Sequence, residues 1–436
     1  MLRIITVLWL AFAASAAQAE IDIKQVTSPG GINAWVVEEP SIPFVALEIR
    51  FRGGAALDAP GKRGAINLMT GLLEEGAGDM SAQEFQTARE ALAASYSFRS
   101  FDDTISISAR FLTENKDEAL ELLRKALVDP RFDQDALDRV RAQVLSGIAG
   151  DEKDPNSIAG ATLDAMAFGD HPYGSSRDGT VESVAALTRD DILAAHRNTL
   201  TRDRLYVAVV GDTTAETVGA LLDELLGELP ATGVPSPVDA DFALEGGITV
   251  VDFETPQSVA LFGHTGLKRD DADFFAAFIL NHILGGAGFE SRLMQEVREE
   301  RGLTYGISTF LVPMFHAEMM LGQVASSNET IAEAIEVTRN EWARMANEGV
   351  SAEELASAKT YLTGEYPLRF DGNDEIAKIM VGMQMVGLSP DYVVNRNDFV
   401  EAITLDEINR VASELMQPDD LHFVVVGNPV GLASTN

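Results

Sequence analysis

The chain has 436 residues, a formal net charge of −35 and no cysteine. This length is too great for one small domain and predicts at least two. The absence of cysteine excludes disulfides, a thiolate nucleophile and cysteine zinc sites. The negative charge disfavours contact with nucleic acid or anionic lipid. We therefore expect no nucleic-acid partner and no membrane insertion.

The first residues are typical of a secretory signal peptide. Arg3 supplies a positive charge, residues 4–14 form a short apolar run, and residues 17–19 (AQA) match a small-residue cleavage site. The apolar run is too short to cross a bilayer as a helix. We expect cleavage after Ala19, which would leave a soluble mature chain in the periplasm.

The N-terminal half mixes strand and helix patterns. Apolar and polar residues alternate over 45–52 and again over 105–111, which predicts strands with one buried face. Helical hairpin patterns follow over 119–148 and, in the other half, over 334–366. Long helices between such strands predict an α+β fold, with a mostly antiparallel sheet and helices packed on one face. The strand from 105 to 111 is a candidate sheet edge.

An internal repeat divides the chain. Residues 188–212 (TRDDILAAHRNTLTRDRLYVAVVGD) and 404–428 (TLDEINRVASELMQPDDLHFVVVGN) align without a gap. Each predicts a capped helix followed by an apolar strand that ends in glycine. A proline- and glycine-rich stretch separates the halves. We predict an N-terminal domain over 20–230, a linker over 231–246 and a homologous C-terminal domain over 247–436.

The sequence contains no motif for a metal site or a hydrolase nucleophile. Two histidines on one helix bind one ion at i,i+3 or i,i+4 spacing. No two of the histidines are that close: His171, His196, His264, His282, His316 and His422. The G-x-S-x-G elbow is absent, and residues 285–288 (GGAG) lack the lysine of a phosphate loop. We predict no metal on this chain and no catalytic residue of its own.

Residues 50–56 (RFRGGAA) and 61–71 (GKRGAINLMTG) resemble the start of the pitrilysin (insulinase-type) zinc peptidase domain. In that family a glycine-rich bend leads into a helix with H-x-x-E-H, whose histidines bind zinc and whose glutamate activates water. The matching positions here are Asn67, Thr70 and Gly71. The resemblance therefore implies a degenerate zinc site.

Two further features belong to this resemblance. The family's third zinc ligand is a glutamate on a later helix, and its position falls near Ser146 and Gly147. Residues 169–174 (GDHPYG) resemble the family's loop after that helix, so we interpret His171 as structural. All the functional side chains of the zinc motif are therefore missing.

Residues 297–306 (VREERGLTYG) are similar to the family's second signature, an arginine and a tyrosine in the C-terminal domain. Across a clamshell from the zinc, this pair is understood to hold the substrate backbone and help stabilise the oxyanion. The matching residues are Arg298 and Tyr305. The local pattern predicts a helix over 290–301, ended by Gly302, with Tyr305 opening the next strand.

The resemblance covers the chain from about Glu20 to about Pro429. It implies half of a clamshell, because two-chain members pair an H-x-x-E-H chain with a chain that carries only the Arg/Tyr pair. We expect a non-catalytic subunit of a heterodimeric periplasmic zinc metallopeptidase. Zinc would lie on the homologous partner, and Arg298 and Tyr305 would act in trans on unfolded peptides, held partly by strand addition to a sheet edge.

Two alternatives remain open at the level of sequence. The chain could be an inactive scaffold or peptide-binding protein with no role in catalysis. It could also be a hydrolase with an unrecognised site, which the absence of a nucleophile motif disfavours.

Overall fold

The computed structural model describes residues 21–435. The predicted signal peptide, residues 1–19, lies outside the described residues. Within the described range, no helix is both long enough and apolar enough to cross a membrane.

The first half of the chain is built around a six-stranded sheet. Its elements are β1 (Lys24–Thr27), β2 (Asn33–Glu38), β3 (Phe44–Arg52), α1 (Ala65–Leu72), β4 (Gly76–Ala77), β5 (Met80–Ser81), α2 (Ala82–Ala91), β6 (Ser95–Ser100), β7 (Thr104–Leu112), α3 (Lys116–Val128), α4 (Gln134–Asp151), α5 (Pro155–Phe168), α6 (Val181–Ala186), α7 (Arg189–Thr199), β8 (Leu205–Gly211) and α8 (Ala215–Leu226). The sheet order is β1-β2-β8-β3-β7-β6. Only the β2–β8 pair is parallel in this sheet, so the sheet is mostly antiparallel, as predicted.

The second half contains a five-stranded sheet of related design. Its elements are β9 (Gly247–Asp252), β10 (Gln257–Thr265), α9 (Phe274–Asn281), β11 (Ile307–Pro313), β12 (Glu318–Ser327), α10 (Ile331–Glu348), α11 (Ala352–Glu365), α12 (Asn373–Met385), α13 (Tyr392–Ala402), α14 (Leu405–Leu415) and β13 (His422–Gly427). The order is β11-β12-β10-β13-β9, with β9 parallel to β13. The predicted α+β fold with two homologous halves is confirmed.

The internal repeat corresponds to the same unit in both halves. Thr188 caps α7 and Thr404 caps α14, each through a complete capping box. Each helix leads into a strand, β8 or β13, that is parallel to an outer neighbour and antiparallel to an inner one. No helix or strand lies between Leu226 and Gly247; the domain limits themselves stay a prediction.

The strand predicted as a possible edge is an internal strand. β7 pairs with β3 on one side and with β6 on the other, so β6 is the edge strand on this side of the sheet and β1 is the edge strand on the other. The alternation over 105–111 correctly identified the buried face, because Ile105, Ile107 and Phe111 are all in the core. Alternation reports which side chains are buried but carries no information about the order of strands in a sheet.

Each sheet is covered on its second face by a helix from the other half. Helix α12 of the second half packs on β3 and β8 of the first, where Met380 and Val381 join an apolar cluster with Trp35 and Ala46. Helix α5 of the first half packs reciprocally on β10 and β13. Separating the halves would expose both clusters to water, so the two halves stabilise each other.

Candidate functional site

A glycine-rich bend leads into α1, as the resemblance implied. Gly64 precedes the helix with φ 93°, in the left-handed region that favours glycine. The carboxylate of Asp58 accepts hydrogen bonds from the backbone N–H groups of Gly64 (2.8 Å) and Ile66 (2.9 Å). Burial raises the pKa of Asp58 to about 6, although these bonds and Arg63 act in the opposite direction. The bend is therefore fixed by a buried carboxyl at the start of α1.

The three zinc-motif positions on α1 now make local structural contacts. The side-chain oxygen of Asn67 accepts a hydrogen bond from the hydroxyl of Ser100 (3.0 Å), the last residue of β6. The hydroxyl of the buried Thr70 donates to the carbonyl of Asn67 (2.8 Å). A Cβ on Gly71 would lie 3.1 Å from the side chain of Val140 on α4. None of the three can act as a zinc ligand or a general base in this arrangement.

The third ligand position is also without a ligand. Ser146 and Gly147 are exposed on α4, and a Cβ on Gly147 would meet nothing within 4 Å. Across residues 21–435, no group of three or more His, Asp or Glu side chains is placed to hold a metal ion.

Most of the histidines are engaged with the backbone. Four have a ring nitrogen within hydrogen-bonding distance of a carbonyl oxygen: His171 with Val238 (3.1 Å), His196 with Leu127 (2.8 Å), His264 with Thr265 (2.6 Å) and His422 with Glu245 (2.6 Å). Burial lowers the pKa of His196 and of His264, which favours the neutral ring. The other nitrogen of His171 accepts the N–H of Tyr173 (3.2 Å), which agrees with a structural role for this loop.

The helix that carries Arg298 is shorter and wider than predicted. The chain is helical from Arg292 to Glu299, with π geometry over Met294–Glu299. The predicted start at Glu290 is wrong, because Gly288 has φ 58° and begins a separate 3-10 turn. The helix also ends two residues before the predicted Arg301, at Glu299. Gly302 is left-handed as expected (φ 65°), and its N–H donates to the carbonyl of Arg298 (2.8 Å). Wide turns of this kind are frequent at functional sites.

Arg298 and Tyr305 are both accessible to solvent. The Arg298 side chain is 31% exposed and bonds Glu299 at 2.8 Å. Its guanidinium also lies over the ring of Phe289, 4.6 Å from the centroid. Tyr305 is 88% exposed and precedes β11, which begins two positions later than predicted, at Ile307. Within residues 21–435 the two side chains do not bond each other.

Two sheet edges lie beside these elements. β6 is the outer strand next to α1, and β11 is the outer strand that follows Tyr305. By contrast, the β9 edge of the second sheet is bonded by the C-terminal residues Ser434 and Thr435. An outer strand presents unpaired N–H and C=O groups, which another extended chain can pair with.

Sequence reasoning missed β6 and the side chains around it. The weak alternation in 95–100 (SYSFRS) is the signal that could have identified it. Tyr96 and Ser100 are buried, whereas Ser95 and Arg99 are exposed. The contact between Phe289 and Arg298 has no comparable signal, because it depends on how the glycine-rich turn folds.

The comparisons with known proteins agree with this architecture. The family described as Insulinase (Peptidase family M16) matches residues 35–181, and the family described as Peptidase M16 inactive domain matches residues 186–362. The non-peptidase homolog YmxG of Helicobacter pylori is 26% identical over 394 residues, 90% of each chain. The uncharacterized zinc protease YmxG of Bacillus subtilis is 23% identical over 406 residues, 91% of this chain and 96% of its own.

Solved structures show the same fold. A peptidase M16 inactive domain from Pseudomonas fluorescens superposes with a TM-score of 0.89 at 24% identity, over 95% of this chain and 99% of that one. A protease from Helicobacter pylori superposes with a TM-score of 0.85 at 16% identity, over 93% of this chain and 99% of that one. The chain therefore belongs to peptidase family M16, the insulinase or pitrilysin family, and carries the domain that the family description names inactive.

Proposed function

We propose that this chain is the non-catalytic subunit of a two-chain periplasmic zinc metallopeptidase. One contrast carries the proposal. The zinc-motif positions Asn67, Thr70 and Gly71 hold no ligand, whereas Arg298 and Tyr305 of the second signature are present and accessible. The proposal therefore limits the loss to the metal chemistry and assigns a substrate-facing role to Arg298 and Tyr305.

Arg298 and Tyr305 suit the stabilisation of a developing oxyanion. An arginine presents a fixed fork of N–H donors, and a phenol supplies one O–H donor. Donors aimed at an oxygen that gains charge in the transition state lower the barrier, and each contributes substantially to kcat. The zinc on a homologous H-x-x-E-H partner would supply the activated water and the Lewis acid. This chain would contribute positioning and charge stabilisation in trans.

The peptide itself would be held by strand addition. β6 ends at Ser100, whose hydroxyl is tied to Asn67 on α1, so this open edge lies directly beside the degenerate motif. An unfolded peptide pairs with such an edge through main-chain hydrogen bonds, which do not depend on its sequence. The substrate class that fits is therefore unfolded peptide, and the compartment is the periplasm if residues 1–19 act as a signal peptide.

Native mass spectrometry of the chain, isolated gently from its own periplasm, tests the assembly. We expect a one-to-one complex with a second chain of similar size that carries one zinc. A metal-free monomer or homodimer, in a preparation where other periplasmic complexes survive, would contradict the proposal.

Kinetics of the reconstituted complex test the two side chains. We expect Arg298→Ala and Tyr305→Phe each to lower kcat by about 100-fold, the scale of losing one oxyanion donor, with a small change in KM. Arg197→Ala, on the exposed face of α7, and Tyr361→Phe, on the surface of α11, are matched controls that should leave kcat unchanged. If peptide hydrolysis is the same with and without the Arg298 and Tyr305 side chains, the pair has no role.

A second candidate is an inactive scaffold or peptide-binding protein. The observation that favours it is the bond between Arg298 and Glu299, which already satisfies part of the guanidinium. In that case the chain would bind peptides at β6 without a zinc-bearing partner. Peptide binding by the isolated chain, together with a homodimer or monomer in native mass spectrometry, would support this candidate over the first.

A further inference from the structure

The first sheet carries a row of polar side chains on the face that α12 covers only in part. Helix α12 packs on β3 and β8, and the outer strands β7 and β6 extend beyond those strands. On this face Arg50 of β3 is paired with Ser106 of β7, and Ser106 is paired with Arg99 of β6. Because neighbouring strands lie about 4.8 Å apart, the two arginines flank Ser106 at a separation of about 10 Å.

The arginine row, Arg50–Ser106–Arg99, has few carboxylates close enough to form ion pairs with it. Arg99 is exposed and takes part in none of the ion pairs within residues 21–435. Arg50 has Glu48 at 3.7 Å, and its buried Nε has no hydrogen-bond partner among the described residues. Burial raises the pKa of Glu48, although the hydrogen bond with Ser108 and the charge of Arg50 act in the opposite direction.

The other charged groups on this face are already paired. Arg110 of β7 lies 3.5 Å from Asp374 of α12, and Lys378 bonds Glu375 at 2.7 Å. Arg52 is occupied too: its guanidinium donates to a backbone carbonyl of α12 (2.6 Å) and lies 4.0 Å from the centroid of an aromatic ring. Of these arginines, Arg99 at the β6 edge therefore has no ion-pair partner among residues 21–435, in a chain whose net charge is −35.

An extended peptide added to β6 would bring side chains to this row. Successive residues of a strand point to opposite faces, so every second side chain of the peptide would share the face of Arg99. Directly opposed Cβ atoms on paired strands are about 5 Å apart, within reach of an arginine fork. Guanidinium groups bind carboxylates bidentately and more strongly than they bind neutral amides.

We propose that the arginine row selects an acidic side chain at the position of an extended peptide that lies opposite Arg99 of β6. This inference rests on the proposed peptide binding at that edge. The acidic surface elsewhere does not oppose it at short range, because the screening length is about 8 Å at physiological ionic strength. The row would give the edge a side-chain preference that main-chain pairing alone cannot supply.

Fluorescence anisotropy on the full mature chain, at physiological ionic strength, tests this selection. The probes are fluorescein-labelled peptides of equal length in which threonine alternates with glutamate, glutamine or lysine. We expect the glutamate peptide to bind about 10-fold more tightly than the glutamine peptide, which corresponds to one charge-assisted bond. Arg99→Gln, and the pair Arg99→Gln with Arg50→Gln, should remove that preference.

Arg197→Gln is the matched control. It removes the same charge from an exposed arginine on α7 and should leave the glutamate preference intact. Arg99→Gln alone is the decisive variant, because Arg99 is exposed and its substitution does not disturb the buried Glu48.

The outcomes separate the two proposals. Equal binding of the glutamate and glutamine peptides, or a glutamate preference that survives both substitutions, would overturn the selection and leave strand addition standing. Tightest binding of the lysine peptide would also overturn it, because the acidic surface would then dominate. If none of the peptides binds, strand addition at β6 is wrong and the selection is wrong with it.

Discussion

The exchange of helices between the halves predicts that truncating one buried side chain destabilises both. Leu163 lies on α5, in the first half, and is fully buried against Val424 and Val426 of the second sheet. Leu163→Ala removes three carbon atoms from this contact and leaves a cavity that the backbone cannot easily move to fill. Substitutions of this kind cost about 2–5 kcal/mol, depending on how far the cavity collapses. With a urea m-value of about 3 kcal/mol per molar, the unfolding midpoint should fall by about 1 M.

The chain provides one tryptophan reporter in each half. Trp35 is buried under α12 in the first half and Trp342 is fully buried in the second. The third tryptophan, Trp9, lies in the predicted signal peptide. Urea unfolding is therefore followed in two mature forms, Trp35→Phe and Trp342→Phe, each with one reporter. We expect coincident transitions, and an equal shift of both when Leu163→Ala is added.

Met166→Ala is the control, because it truncates a residue on the exposed side of the same helix; its cost should stay below about 1 kcal/mol. Two separate transitions in the forms that keep Leu163, or a Leu163→Ala shift seen by only one tryptophan, would contradict mutual stabilisation of the halves. Either result would mean that the halves fold independently and that the exchanged helices add little.

Three further predictions concern stability. Burial, together with Asp102, raises the pKa of Asp164 to about 7, so the contribution of its protonated carboxyl to the stability of the fold is present at low pH and lost as pH rises through 7. Asp164→Asn should therefore stabilise the chain by roughly 1–2 kcal/mol at pH 8 but not at pH 4. Thermal unfolding at the two pH values measures this difference. Burial raises the pKa of Glu354, but the hydrogen bonds from Arg292 and Ser351 outweigh it and lower this pKa to about 2. Glu354→Gln should therefore cost about 1.5 kcal/mol of stability at pH 7 and less as pH falls toward 2. Urea unfolding across that pH range measures the cost. Gly147→Ala fills open space on an exposed helix and should raise stability by about 0.5–1 kcal/mol; a loss in the same urea assay would mean that this position needs glycine.

The local elements could be predicted from the sequence because their causes are local. A capping box at Thr188 or Thr404 needs only residues three apart, and both boxes are present. The alternation over 105–111 identified the buried face of β7 in the same way. The internal repeat then extended each local prediction to the second half, so that two homologous sheets could be predicted.

The arrangement of those elements could not be predicted, because it depends on pairings between distant residues. The place of β7 inside the sheet depends on β6 adding beside it, and the alternation of β7 is the same with or without that neighbour. The packing of Met380 on Trp35 joins positions far apart in the chain, and no periodicity within α12 indicates which sheet it covers. The π geometry around Arg298 lies between two left-handed glycines, Gly288 and Gly302, whose torsions the sequence permits without requiring.

The degenerate motif is in direct contact with the sheet edge to which peptide binding is proposed. A zinc-binding helix must present its side chains to an ion, whereas Asn67 now accepts a hydrogen bond from Ser100 and Thr70 bonds back to Asn67. The positions that would hold a metal therefore fix the end of β6 to α1. A strand anchored at its last residue loses less conformational freedom when a peptide pairs with it, so this anchor would favour the proposed peptide binding. In the proposed function, the positions that lack zinc ligands would thus support the edge that binds the peptide, through the contact between Asn67 and Ser100.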